Sequence, residues 1–309
     1  MSAKGRRVRN DRRPNAATSR HIVSAADLQK SGRYPARQIG ETMRTAGPSE
    51  SASLPTFQNG DVRLHFEVRG AGRPVVFLHG ATVDFHWNYA AFGWPEKFEA
   101  YGFKIIGLDF RGHGKSDKPH DKAAYGTAHL AADVIALLDH LKLHRVDLVA
   151  YSIGTAISLH LLQTAPARFN RAALVATGDG LIGFPPYEFN RILPALAVIA
   201  RRAEYPEDLP KHAAAYWNFI ASLGGDRAAL ASFAEAGYPP LTTTEAKNIT
   251  HPILVISGDA DRVLGRGPRL ARALGNAKYL EVAGADHFSL AADKNVQDLV
   301  AKFLADVTA

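Results

Sequence analysis

The sequence predicts an α/β fold: a mostly parallel, doubly wound sheet with a small helical cap inserted after the sixth strand. Three observations point there. Short β-branched runs alternate with helical patterns between 75 and 176, the rhythm of a parallel sheet with crossover helices. Those runs are apolar at consecutive positions, as strands buried on both faces require. A lone serine also stands between one such run and a glycine that opens a helical pattern, in Val146-Asp147-Leu148-Val149-Ala150-Tyr151-Ser152-Ile153-Gly154.

Composition bounds the function classes. The chain has 309 residues, 46% of them hydrophobic, and a net charge of +7. That charge is local: residues 1–54 hold eleven Lys and Arg against four Asp and Glu, a surplus of seven that equals the whole-chain value. The remainder, 55–309, is neutral and about 255 residues long, enough for one domain that buries roughly three quarters of its unfolded surface. The basic segment lacks the apolar stretch of a secretory signal, and its Ala, Ser, Arg and Pro content predicts a disordered extension. It reads as a basic arm for acidic partners, an Arg-rich targeting peptide, or an extension created by a start placed too early; the last, or a plain tail, is favoured. Tyr34 alone interleaves its charges, so nucleic acid is not an expected partner. No run reaches the roughly 18 apolar residues of a membrane span, and the cytoplasm is the expected setting. The chain has no cysteine, which excludes disulfide scaffolds, thiolate metal sites and cysteine nucleophiles. No H-E-x-x-H or similar ligand spacing occurs, so neither a metal nor another cofactor is expected.

The elements follow in order. Phe57-Gln58-Asn59-Gly60-Asp61 carries an Asn-Gly turn that predicts a hairpin, its second strand at 63–68 alternating as a half-buried strand does. Gly70-Ala71-Gly72 is a tight connection with no helix after it, so it is not a dinucleotide fingerprint. Strands are predicted near 75–78, 104–108, 146–151 and 172–176. The strongest helical pattern lies at 124–141, through Leu130, Val134, Leu137, Leu138 and Leu141. Between 178 and about 247 the rhythm changes: seven prolines and no strand run predict short helices. The aromatics there, Phe184, Tyr187, Phe189, Tyr216, Trp217, Phe219, Phe233 and Tyr238, are candidates for lining a pocket or for packing. Pro252-Ile253-Leu254-Val255-Ile256-Ser257 and Lys278-Tyr279-Leu280-Glu281-Val282 complete the strands.

Five segments carry chemistry or its support. A turn from strand to helix as tight as Ala150-Tyr151-Ser152-Ile153-Gly154 needs small flanking residues and forces the serine into a strained conformation that lifts its hydroxyl off the sheet. The bland reading of Ser152 is a helix cap. Val75-Val76-Phe77-Leu78 runs into His79-Gly80-Ala81, where His79 reads as a loop histidine bonded to backbone. Asp109-Phe110-Arg111-Gly112-His113-Gly114-Lys115-Ser116 reads as structural, with Asp109 and Arg111 expected to pair near the strand end. It is not a phosphate loop, because G-x-x-x-x-G-K-S would need glycine where Asp109 stands. The last two strands end in Gly258-Asp259-Ala260-Asp261 and in Gly284-Ala285-Asp286-His287.

Taken in this order, the segments resemble the α/β-hydrolase fold superfamily over about 57–304. The serine turn is similar to its G-x-S-x-G elbow, with Ala150 in place of the first glycine. The resemblance implies that the Ala81 and Ile153 N–H groups form the oxyanion hole. It also implies that the acid follows the first of the two late strands and the base the second, giving Ser152, Asp261 and His287. The chemistry needs that combination, since an imidazole takes the serine proton and a carboxylate fixes the imidazole tautomer. Asp261 is preferred to Asp259, which is free to bond backbone instead, and Asp286 is read as a solvated charge. The insertion at 178–247 is then the cap, and the loop at 82–88, with Phe85, His86 and Trp87, is another candidate wall.

The expected activity is hydrolysis of a carboxylic ester, lactone or related acyl compound through an acyl-serine, on a small apolar substrate. Ser152 in the elbow disfavours members with an aspartate nucleophile. The alternatives are a C–C bond hydrolase, a cofactor-free perhydrolase resembling non-haem haloperoxidases, and a slow-turnover receptor for a small ligand.

Overall fold

Apolar side chains at consecutive positions leave these strands no polar face, so each must be covered on both sides. The structure is a computed structural model that describes residues 55–184 and 225–306, with 193, 196–198, 200 and 201 between them. The extension at 1–54 and most of the expected cap lie outside the described residues. Eight strands, β1 (Thr56–Asn59), β2 (Val62–Gly70), β3 (Arg73–Leu78), β4 (Phe103–Leu108), β5 (Val146–Tyr151), β6 (Phe169–Val175), β7 (Ile253–Gly258) and β8 (Ala277–Val282), form one sheet in the order β1-β2-β4-β3-β5-β6-β7-β8. β2 runs antiparallel to both neighbours, and β3 to β8 are parallel. The helices are α1 (Phe85–Asn88), α2 (Trp94–Ala100), α3 (Thr127–His140), α4 (Ile153–Thr164), α5 (Arg227–Glu235), α6 (Thr243–Lys247), α7 (Pro268–Ala273) and α8 (Lys294–Ala305).

The alternation of side chains along each strand divides the core in two. Val76, Leu78, Ile106, Leu148 and Leu174 pack on one face with Leu130 and Val134 of α3 and Ile157 and Leu161 of α4. Val75, Phe77, Ile105, Val149 and Val175 pack on the other with Trp94 and Phe98 of α2 and Val296, Val300 and Leu304 of α8. The doubly wound expectation therefore holds. The insertion lies where it was placed, between β6 and β7, and α5 and α6 are its described helices. Of its aromatics, Phe233 and Tyr238 are buried against each other, with Phe233 also against Tyr125 and His113, so they pack. Phe184 is partly exposed beneath the Arg269 guanidinium; Tyr187, Phe189, Tyr216, Trp217 and Phe219 lie outside the described residues.

Three local expectations are corrected. Asn59 pairs with Val62, so the hairpin loop is Gly60-Asp61, with Gly60 at φ +59°, one position later than the Asn-Gly reading. β2 does not alternate cleanly: Val68 is exposed, and His65 is buried because its ring turns inward to Asp109. Asp109 and Arg111 do not pair. Asp109 is occupied by His65 Nδ1 (2.9 Å), the Phe85 N–H (3.0 Å) and the Lys115 N–H (3.0 Å). Arg111 instead forks onto Asp133 of α3 at 2.7 and 2.6 Å, a bidentate geometry that a carboxylate two residues away does not offer here.

Candidate active site

Parallel strands bring their carboxyl ends to one edge, and the loops after β3, β5, β7 and β8 meet there. β5 is central, between β3 and β6, and stops at Tyr151; α4 starts at Ile153. Ser152 spans the junction at φ +52° and ψ −117°, a strained region for a side-chain-bearing residue, and its side chain makes no cap to α4. Its N–H donates to the Val175 carbonyl (3.1 Å), and the Thr155 hydroxyl donates to its carbonyl (2.5 Å), so the strain is held from both sides. Gly154 has to lack a side chain because a Cβ there would strike the Leu78 carbonyl oxygen, where α4 crosses the end of β3.

Ser152, His287 and Asp261 come together although 135 positions separate serine from histidine. His287 Nε2 lies 2.8 Å from Ser152 Oγ, and its Nδ1 lies 2.8 Å from Asp261 Oδ2. All three are buried. The carboxylate accepts at Nδ1, which leaves the Nε2 lone pair to accept the serine proton. Asp261 is itself fixed, because its Oδ1 accepts the Val263 and Leu264 N–H groups at 2.7 and 3.1 Å. Asp259 faces elsewhere and accepts the Gly284 N–H at 2.7 Å, clamping the β7 loop to the β8 loop. Asp286 is exposed. Desolvation pushes its pKa up but is outweighed by N–H bonds from Ser289 and Phe288, which hold it below the usual range.

The loop after β3 passes directly over the serine. A Cβ built on Gly80 would lie 3.5 Å from Ser152 Cβ. Ala81 follows it, and Ile153 is the first residue of α4, where the helix leaves N–H groups unpaired and its dipole is positive. Among the described residues neither the Ala81 nor the Ile153 N–H has an acceptor within the protein. His79 is wholly buried; its Nδ1 donates to the Gly80 carbonyl (2.7 Å) and its Nε2 accepts the Phe110 N–H (3.0 Å), the backbone role expected of it. Burial lowers its pKa, which keeps the ring neutral as that accepting nitrogen requires.

Two further residues escaped the sequence reading. Tyr151 sends its hydroxyl to the His287 carbonyl at 2.5 Å, and Asn88 accepts the Gly80 N–H at 2.6 Å. Neither has a spacing rule that reveals it, since each contact depends on how loops are brought together. The wall reading of the loop at 82–88 is split. Phe85 is buried against Phe77 and fills the space above Gly107, whereas Trp87 helps to line a small open cleft with Thr82, Val83, His113 and Leu230. Burial holds the His113 pKa down at about 3, so that ring stays neutral. Among the described residues there is no group of three or more His, Asp or Glu placed to hold a metal, and no helix is long and apolar enough to cross a membrane.

A family model described as alpha/beta hydrolase fold matches residues 73–197, and a second, described as TAP-like protein, matches 231–309. A non-heme chloroperoxidase of Streptomyces lividans is 29% identical over 73% of this chain and 88% of its own. Three other relatives align over only 32–39% of their own lengths. Among solved structures, the enol-lactonase of Burkholderia xenovorans LB400 superposes with a TM-score of 0.64 at 25% identity, covering 82% of this chain and 98% of that one. The 2-hydroxy-6-oxo-6-phenylhexa-2,4-dienoate hydrolase of Rhodococcus sp. strain RHA1 gives 0.61 at 20% identity, over 80% and 96%, a likeness of fold.

Proposed function

The chain belongs to the α/β-hydrolase fold superfamily, and from that premise we propose that it is a serine hydrolase of small apolar carboxylic esters or lactones. The carrying observation is the continuous hydrogen-bonded line that starts at Ser152 Oγ on a strained elbow and runs through His287 to Asp261. In this reading Ser152 Oγ attacks the acyl carbon while His287 Nε2 takes its proton. The oxyanion forms between the Ala81 and Ile153 N–H groups, each worth roughly 3 kcal/mol to the transition state. His287 then protonates the leaving alkoxide, and the alcohol departs from an acyl-serine. Water adds to that ester by the same route, giving its proton to His287 and releasing the acid and the free serine. Asp261 keeps the ring oriented throughout and stabilises its charged form.

The chloroperoxidase relative supports a second reading, in which hydrogen peroxide replaces water at the acyl-serine and a peracid leaves. C–C bond hydrolysis and slow-turnover ligand binding stay as further alternatives. A panel of p-nitrophenyl esters and lactones, with and without peroxide, separates them: steady turnover supports the hydrolase, peracid release the perhydrolase, and tight binding with almost no turnover a receptor. In the same panel, Ser152→Ala abolishes acylation while leaving the fold intact; ester turnover that survived in this variant would refute the assignment.

A further inference from the structure

Gly80 stands one residue before the Ala81 amide, and glycine turns about φ and ψ more freely than any other residue. Freedom at that point works against catalysis, because a donor stabilises the transition state only while it is aimed at the developing charge. In this chain both soft dihedrals of Gly80 are held from outside. Its carbonyl accepts the His79 Nδ1–H at 2.7 Å. A trans peptide is planar, with C=O and N–H opposed, so fixing that carbonyl aims the Ala81 N–H in the opposite direction. The plane would still swing as a unit if the preceding peptide turned. That preceding peptide is fixed by Asn88, whose Oδ1 accepts the Gly80 N–H at 2.6 Å.

Asn88 is well placed for this. It is 5% exposed, ends α1, and is tied back by its own N–H to the Asp84 carbonyl at 3.0 Å. Gly80 is sandwiched between it and the nucleophile, since a Cβ on Gly80 would sit 3.3 Å from Asn88 Oδ1 and 3.5 Å from Ser152 Cβ. We propose that Asn88 is a positioning residue of the oxyanion hole, acting through the Gly80 peptide on the Ala81 N–H. This rests on the serine-hydrolase reading above.

The test compares the full chain with Asn88→Ala, Asn88→Asp and Ser152→Ala on p-nitrophenyl acetate, with active sites counted by exhaustive labelling with a fluorophosphonate. In Asn88→Ala, kcat per labelled site falls roughly 10- to 100-fold, with KM moving less than about threefold. Asn88→Asp keeps an oxygen facing the Gly80 N–H and recovers most of the loss. Inhibition by a trifluoromethyl ketone, whose adduct places an oxyanion in the hole, weakens in step with kcat/KM. A merely structural Asn88 would lower the labelled fraction and the melting temperature but leave kcat per labelled site unchanged, and that result overturns the proposal. If Asn88→Ala does not fold, Asn88→Ser carries the same expectation, because its hydroxyl is too short to reach. Ester turnover that survives Ser152→Ala undoes the hydrolase reading, whereas turnover lost in Ser152→Ala but intact in Asn88→Ala undoes the positioning role alone.

Discussion

At Ser152 the backbone adopts a conformation that an isolated chain would avoid, and its neighbours show why it persists. The Val175 carbonyl and the Thr155 hydroxyl hold it, and Gly154 lets α4 lie against β3 without a side chain between them. The same scale separates the two aspartates after β7. Asp261 is bonded to the imidazole and Asp259 to the Gly284 amide. Asp261→Asn therefore removes the carboxylate that fixes the His287 tautomer, and kcat falls by about 10⁴-fold. Asp259→Asn costs only a surface clamp and leaves kcat within about threefold. Steady-state kinetics on one ester checks both, and equal losses in the two variants would reverse the assignment. The motif made Asp261 the better candidate, but spacing alone left both open: the two carboxyls lie two positions apart, and only the turn after Gly258 decides which one faces histidine.

Among the elements, α1 and its loop link the end of β3 to the body. Asp84 caps α1 by accepting the Trp87 N–H at 2.8 Å. Burial first, and then the neighbouring Asp109 charge, push its carboxyl up to about 6. Asp109 is held low: desolvation acts upward on it but is outweighed by its hydrogen bond to His65 and other favourable contacts. The two carboxyls thus titrate apart, and a raised acid stabilises the fold only while it is protonated. The contribution of Asp84 is complete below its unfolded value near 4 and is lost as pH rises through about 6. Asp84→Asn keeps a good cap without the charge and stabilises the protein by on the order of 1 kcal/mol at pH 8, but little at pH 4. Urea unfolding at both pH values measures this, and an equal shift at the two would exclude the charge as its cause. Nothing in the local sequence foretold the effect, because Asp109 lies on a different strand end.

For the whole molecule, Asp133 of α3 is a junction. It accepts both arms of the Arg111 fork and also the Asn59 side-chain N–H at 2.8 Å, so one buried carboxylate joins the hairpin, the loop after β4 and a helix. Asp133→Ala leaves a buried guanidinium without its partner and costs about 3–5 kcal/mol. Replacing Arg111 and Asp133 together by leucine recovers much of that loss, because no unpaired charge remains. A single-variant loss below about 1 kcal/mol in denaturant unfolding would show that Arg111 finds water or another acceptor.

The sequence by itself pointed to the mostly parallel sheet, the alternation of strands with helices and an insertion after β6, and it singled out Ser152, His287 and, by preference, Asp261, three side chains that the fold brings together. The sheet and the insertion follow from the period and continuity of apolar residues, which are local properties of a chain, whereas the three site residues follow from the resemblance of the motifs, in their order, to the α/β-hydrolase fold superfamily. Only the tertiary structure decided that the hairpin turns at Gly60-Asp61, that Arg111 reaches Asp133 instead of Asp109, and that Tyr151 and Asn88 hold the two loops beside Ser152. The reason is directional: a hydrogen bond is set by where two separate segments arrive and how they face, and no periodicity along either segment encodes that meeting.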